Sequence, residues 1–234
     1  MPGLRAIGGR LGGMTTSVPR APRKTYRLGA TELAGRDPVL ASLVAATGLP
    51  RFRRPVDTHY AALAQAILYQ QLAGAAAAAI HRRLLEATGD PDDPAALLAL
   101  GADKLRAVGL SANKAASLRD LAEKVLDGTL DLDPRRLSRS DDEEIVTHLT
   151  AVRGIGRWTA QMFLMFQLRR LDVWPSGDFG VRRGYGLAWK VPSPTEKEIE
   201  PLGDAFRPYR SVAAWYCWRA VEIYAGAEKS AVTG

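Results

Sequence analysis

Asp141-Asp-Glu-Glu-Ile-Val-Thr-His-Leu-Thr150-Ala-Val-Arg153-Gly-Ile-Gly156-Arg-Trp-Thr-Ala160-Gln-Met-Phe-Leu-Met-Phe166 is the stretch whose reading decides the fold. Its acidic opening suits the N-terminus of a helix, where the backbone dipole favours negative charge. A helix-spaced apolar run follows, then Gly154-Ile155-Gly156, then a second apolar run. The pattern predicts two helices joined by a Gly-x-Gly turn. Glycines there let the chain reverse tightly and let a phosphate approach the backbone, while free N–H groups at the start of the second helix offer an anion site. A helical hairpin that keeps its glycines for packing alone would write the same pattern, so the turn by itself leaves both readings open.

Downstream lies Leu171-Asp-Val-Trp174-Pro-Ser-Gly177-Asp178-Phe-Gly180-Val-Arg182-Arg183-Gly184, which sets a carboxylate just after a glycine turn. Asp178 can cap the helix that follows, or supply a negative charge for chemistry, and the two roles are compatible. Elsewhere, apolar residues recur at helical spacing, as in Leu40, Leu43 and Val44, or Ala64, Ile67, Leu68 and Leu72. Asp37-Pro38 and Asp93-Pro94 read as caps followed by a first-turn proline, and Gly89, Gly109 and Gly128 end periodic runs. The expected fold is mainly α, with at most a short extended piece near Tyr26 to Leu28.

Residues 1–27 carry six basic and no acidic residues with frequent Gly and Pro, and read as a disordered basic arm ahead of a domain spanning 28–234. Met14 is a second candidate start. The net charge of +7 suits a polyanionic partner, and solvated surface cations would account for it equally well. A single cysteine, Cys217, excludes an intramolecular disulfide, a four-cysteine zinc site and a four-cysteine iron–sulfur cluster built from this chain. It fits a reducing compartment: the cytosol or nucleoid of a bacterium, the nucleus or an organelle otherwise. No apolar run reaches the length of a membrane span, so a membrane partner is not expected.

Taken together, the hairpin, the Gly/Pro-rich loop and the aspartate resemble the signature of the helix-hairpin-helix DNA glycosylase superfamily. The form Arg153-Gly-Ile-Gly-Arg-Trp-Thr-Ala160 is similar to its DNA-3-methyladenine glycosylase II branch. The resemblance extends to Ala66-Ile-Leu-Tyr69-Gln70-Gln71-Leu72-Ala-Gly-Ala-Ala76 and to Arg207-Pro-Tyr-Arg-Ser211, ahead of the tryptophan-rich Trp215-Tyr-Cys-Trp218. It implies two helical lobes flanking a cleft with the hairpin at its mouth, in a compact form without the additional N-terminal domain of some members. The implied partner is double-stranded DNA containing damaged bases, and the implied state a monomer.

The resemblance also implies roles. Asp178 is the catalytic carboxylate, stabilising a sugar with oxocarbenium character as the N-glycosidic bond breaks. Trp158 stands where bifunctional relatives carry a nucleophilic lysine, which implies base removal without strand cleavage. Trp158, Trp218 and Tyr69 line an aromatic pocket suited to a cationic alkylated purine, with Met162 where one member has tyrosine. Gln70, Gln71 and Leu72 lie where a side chain fills the stack vacated by the flipped base. Arg153, Gly154, Gly156, Arg157, Thr159 and Arg182 fall on DNA-facing positions. Main-chain carbonyls of Thr150, Val152 and Ile155 match a seat for a monovalent cation (Na or K), and no cofactor is required. Two other functions stay open: excision of oxidised, deaminated or mismatched bases, and a noncatalytic DNA-binding module.

Overall fold

The computed structural model describes residues 25–52, 54–90 and 93–232, with side-chain environments described up to Tyr224. The elements there are helical, with no strand among the described residues. In chain order they are α1 (Tyr26–Arg36), α2 (Pro38–Thr47), α3 (His59–Tyr69), α4 (Gly74–Thr88), α5 (Pro94–Ala99), α6 (Ala102–Ala107), α7 (Ala112–Leu126), α8 (Pro134–Arg139), α9 (Asp142–Thr150), α10 (Arg157–Met162), α11 (Phe179–Trp189), α12 (Glu196–Leu202) and α13 (Arg210–Val232). α10 winds on through a π-helical stretch, Phe163–Gln167.

The punctuation read from sequence holds. Asp37 accepts from the N–H groups of Val39 and Leu40 at 2.7 and 3.0 Å, and Asp93 from Ala95 at 2.8 Å. Gly89, Gly109 and Gly128 take positive φ just past α4, α6 and α7, where a side chain would be strained.

The expectation near Tyr26 fails. Instead of an extended piece, the chain is already helical at Tyr26, because the Thr25 hydroxyl accepts the Leu28 N–H at 3.1 Å and starts α1. Tertiary contacts support that start: the Tyr26 ring stacks on Phe52 at 4.2 Å and its hydroxyl donates to the Met165 carbonyl. The first described helix therefore starts at the Thr25 cap. The arm assigned to residues 1–27, and Met14 as an alternative start, fall mostly on residues 1–24, outside the described residues.

Two lobes result. α1, α2, α11 and α13 pack on one another, so the two ends of the chain share a lobe, while α3 to α7 build the other. α9 and α10 form the helix-hairpin-helix. The lobes bury mainly Leu, Ile, Val, Ala and aromatic side chains, including Leu33, Leu40, Leu63, Ile67, Leu118, Leu121 and Tyr216. Close approach of α11 to α13 depends on Gly184, where a Cβ would run into the Cys217 carbonyl. That approach seals Cys217, whose thiol is fully buried and pushed up in pKa by that burial.

Candidate active site and nucleic-acid interface

Asp178 stands at the N-terminus of α11, where its backbone is extended and its Oδ1 accepts the Val181 N–H at 2.7 Å. The cap is real, and it leaves the carboxylate half-buried with room for two more donors. Both are indoles. Trp218 Nε1 donates to Oδ1 at 2.9 Å from α13, and Trp158 Nε1 donates to Oδ2 at 2.6 Å from α10. All three hydrogen bonds come from neutral groups: two indoles and a backbone amide. A carboxylate held this way has a fixed direction.

Trp158 corrects one expectation. It does not line the cavity beside the site; its indole is hydrogen-bonded to Asp178 and 48% exposed. Tyr69, Met162 and Trp218 do line that cavity, which measures about 600 Å³. Sequence reasoning missed Phe52, Phe166 and Gln65, which share its wall with Trp215. Phe166 stacks on Trp218 at 5.7 Å and meets Phe52 at 5.6 Å, so a run of rings leads from Tyr26 to the indole on Asp178. Phe166 sat in the hairpin stretch and could have been singled out as an aromatic one helical turn past Met162. Phe52 lies between arginines in an aperiodic segment that gave no signal.

Some aromatic faces are already used by cations of the protein itself. Arg219 lies over Trp215 at 5.2 Å and Arg169 over Phe52 at 5.6 Å. The Phe166–Trp218 stack is where the cavity wall comes nearest to Asp178.

At the hairpin, Gly154 takes φ +78°, and a Cβ there would lie 2.6 Å from the Ser117 hydroxyl of α7. Both turn geometry and packing require this glycine. Gly156 has an ordinary extended φ of −93°, with open space where a side chain would sit, and no side chain caps the start of α10. The Arg153 N–H is held by Asp120 at 2.8 Å, a carboxylate also bound by Lys124. Burial opposes ionisation of Asp120, and those donors outweigh it, leaving its pKa below the ordinary value.

The DNA-facing candidates separate into two groups. Arg153 and Gly156 are exposed at the turn, and Arg182 borders a basic groove of about 650 Å³ with Phe179 and Lys190 along α11. Arg157 lies at the turn too, but its guanidinium is clamped by both oxygens of Glu143. Thr159 departs from expectation: it is buried, and its hydroxyl accepts from Gln70 at 3.4 Å. It holds a neighbour in place of a phosphate.

Gln70 and Gln71 also divide. The Gln70 amide donates to the Gly154 carbonyl at 2.9 Å, tying the loop after α3 to the hairpin. Gln71 is exposed in the left-handed region at φ 56°. Leu72 packs partly against the core.

Thr150, Val152 and Ile155 border one shallow concavity at the turn. The Val152 carbonyl accepts the Ile155 N–H at 3.1 Å, leaving a second lone pair. Among the described residues no group of three or more His, Cys, Asp or Glu side chains could hold a metal, and no helix is long and apolar enough to cross a membrane.

Comparison with known proteins bears on this geometry. Residues 64–208 match the HhH-GPD superfamily of base excision DNA repair proteins. The chain is 33% identical over 196 residues to DNA-3-methyladenine glycosylase 1 of Schizosaccharomyces pombe, covering 82% of this chain and 86% of the relative. It is 26% identical to DNA-3-methyladenine glycosylase 2 of Escherichia coli, covering 90% and 82%. Among solved structures, the S. pombe 3-methyladenine DNA glycosylase in complex with abasic DNA superposes with a TM-score of 0.73 at 32% identity, over 84% of this chain and 97% of the other. The Bacillus halodurans DNA-3-methyladenine glycosidase gives 0.77 at 31% identity, over 85% and 91%.

Proposed function

The chain belongs to the HhH-GPD superfamily of base excision DNA repair proteins, and on that premise we propose that it is a DNA glycosylase that hydrolyses the N-glycosidic bond of alkylated bases in double-stranded DNA. The observation that carries this reading is Asp178, fixed by three neutral N–H donors beside an aromatic cavity of about 600 Å³.

The damaged nucleotide leaves the stack and its base enters the cavity, against the Phe166–Trp218 rings. A purine methylated at N3 or N7 carries a positive charge, which the faces of these rings attract. As the bond from C1′ to the base nitrogen breaks, its electron pair goes to the base, which departs neutral, and positive charge spreads over C1′ and the ring oxygen. The Asp178 carboxylate offsets that charge; water adds to C1′ and loses a proton, leaving an abasic site. Trp158 offers no amine to attack C1′, which supports hydrolysis without strand cleavage.

On the DNA side, Gln71 is the side chain that fills the vacated stack, since Gln70 is tied to the hairpin. Gly156 and Arg153 meet the backbone at the turn, and Arg182 extends the contact along α11. A monovalent cation on the carbonyls of Thr150, Val152 and Ile155 would add positive charge beside a bound phosphate. Such an enzyme works where DNA is held: the bacterial cytosol, or the nucleus or an organelle.

The test is a panel of duplexes containing 7-methylguanine, hypoxanthine or 8-oxoguanine, each incubated with protein and then treated with alkali to cut abasic sites. Fastest release of 7-methylguanine is expected. Preference for a neutral lesion would move the assignment to the oxidised or deaminated class, and no release from any duplex would leave a binding module. A covalent adduct trapped by borohydride would overturn hydrolysis alone.

A further inference from the structure

The loop that ends in Gln71 leaves α3 by an exposed route, with a residue in the left-handed region and no glycine at its apex. A helix end leaves carbonyls without intrahelical partners, and a loop built on them is loose unless something binds them. Here one group does. The Lys114 ammonium, from the first turn of α7, donates to the carbonyls of Ile67, Leu68 and Gln70 at 3.0, 2.5 and 2.7 Å. All three donors of the ammonium are used on main chain.

Lys114 acts from the same helix that supports the hairpin. One turn on, Ser117 lies under Gly154, and a further turn on, Asp120 holds the Arg153 N–H. Gln70 closes the circuit by bonding to the Gly154 carbonyl. α7 therefore sets the height of the Gln71 loop against the strand-gripping turn, two parts of the molecule far apart in sequence.

We propose that Lys114 is a positioning residue for base eversion: by clamping the end of α3 it holds Gln71 at the level where its side chain can enter the stack. This rests on the glycosylase reading above. Lys114 touches neither the sugar nor the base. Burial lowers its pKa from the ordinary lysine value, as expected of an ammonium taken from water into a cage of carbonyls.

If the role is eversion, removing the clamp should matter most where eversion is costly. A lesion in a fully paired duplex must be unstacked and unpaired, and an unpaired lesion in a one-nucleotide bulge spares much of that cost. The experiment measures single-turnover release of 7-methylguanine from both substrates by wild type and Lys114→Met, with 2-aminopurine beside the lesion reporting unstacking. Expected for Lys114→Met is a loss of about tenfold or more on the paired substrate, about threefold or less on the bulge, and a weakened fluorescence rise. In a Gln71→Ala background the same change should add less than about threefold, because Lys114 acts through Gln71.

Equal losses on both substrates, or no loss on the paired one, would overturn the proposal. Should Lys114→Met show no thermal unfolding transition, Lys114→Arg serves, keeping the charge while moving the donors; the same selectivity at about threefold is expected, and its absence would count against the proposal equally. Wild type that releases neither lesion would instead mean that the glycosylase reading had failed.

Discussion

Asp172 and Asp178 belong to the same loop between the hairpin and α11, and they are held in opposite ways. Asp172 is gripped by cations: Arg210 reaches Oδ1 at 2.9 Å and Oδ2 at 3.1 Å, and Arg207 reaches Oδ2 at 2.8 Å. Asp178 is gripped by two indoles and a backbone amide. Both carboxylates are fixed, but only Asp172 is fixed by cations. The contrast distinguishes the two acids better than burial does, since both are partly exposed. α13 supplies the distinction, presenting Arg210 to Asp172 from its first residue and Trp218 to Asp178 two turns later.

The most direct way to break this comparison is to neutralise each acid in turn. Asp178→Asn keeps the size and the Oδ1 cap, removes the charge and replaces the acceptor of the Trp158 N–H by an amide NH2, so release should fall by about 10³-fold with DNA affinity within about threefold of wild type by fluorescence anisotropy. Retained turnover would take Asp178 out of the reaction. Next in size is Gly184→Ala, which pushes α11 off α13 and disturbs the holders of both acids. A loss of about 3 kcal/mol or more is expected, seen as a fall in Tm of roughly 6 °C or more by calorimetry; an unchanged Tm would show that the helices separate freely.

Asp172→Asn strips the partner from two arginines. It should cost about 2 kcal/mol of stability and leave single-turnover release per folded molecule unchanged. A selective loss of release would erase the distinction between the two acids. Trp218→Phe keeps a ring in the cavity wall and removes one of the two donors to Oδ1, with about a tenfold slower release expected. Trp158→Phe, at the exposed indole, should cost only about threefold. If Trp158→Phe proves the more damaging of the two, the exposed indole, not the one in the wall, orients the carboxylate.

Much of this was legible in the sequence, and for identifiable reasons. Helix caps are local, so Asp37-Pro38 and Asp93-Pro94 announced themselves, as did the glycine turn at 154–156. The Thr25 cap was overlooked because the basic residues around it dominate the composition of the N-terminal segment. Asp178 could be found because a motif of fixed spacing surrounds it. Trp158 and Trp218 were found with it, but not as its hydrogen-bond donors, since they reach it from helices whose relative placement no local pattern encodes. Phe52 is the extreme case: it enters the cavity wall from an aperiodic loop, through contacts with Tyr26 and Phe166. Thr159 misled for the opposite reason, since a hydroxyl on a DNA-facing helix looks available until burial turns it inward.

The burial of Cys217 reaches beyond packing. Electrophiles that methylate nucleobases react readily with thiolates, and an exposed low-pKa cysteine would be among the first groups of any protein to be consumed. The chain's single thiol is sealed between α11 and α13 and kept in its protonated, unreactive form. The folded protein thus presents no accessible thiol to the reagents that create its proposed substrate.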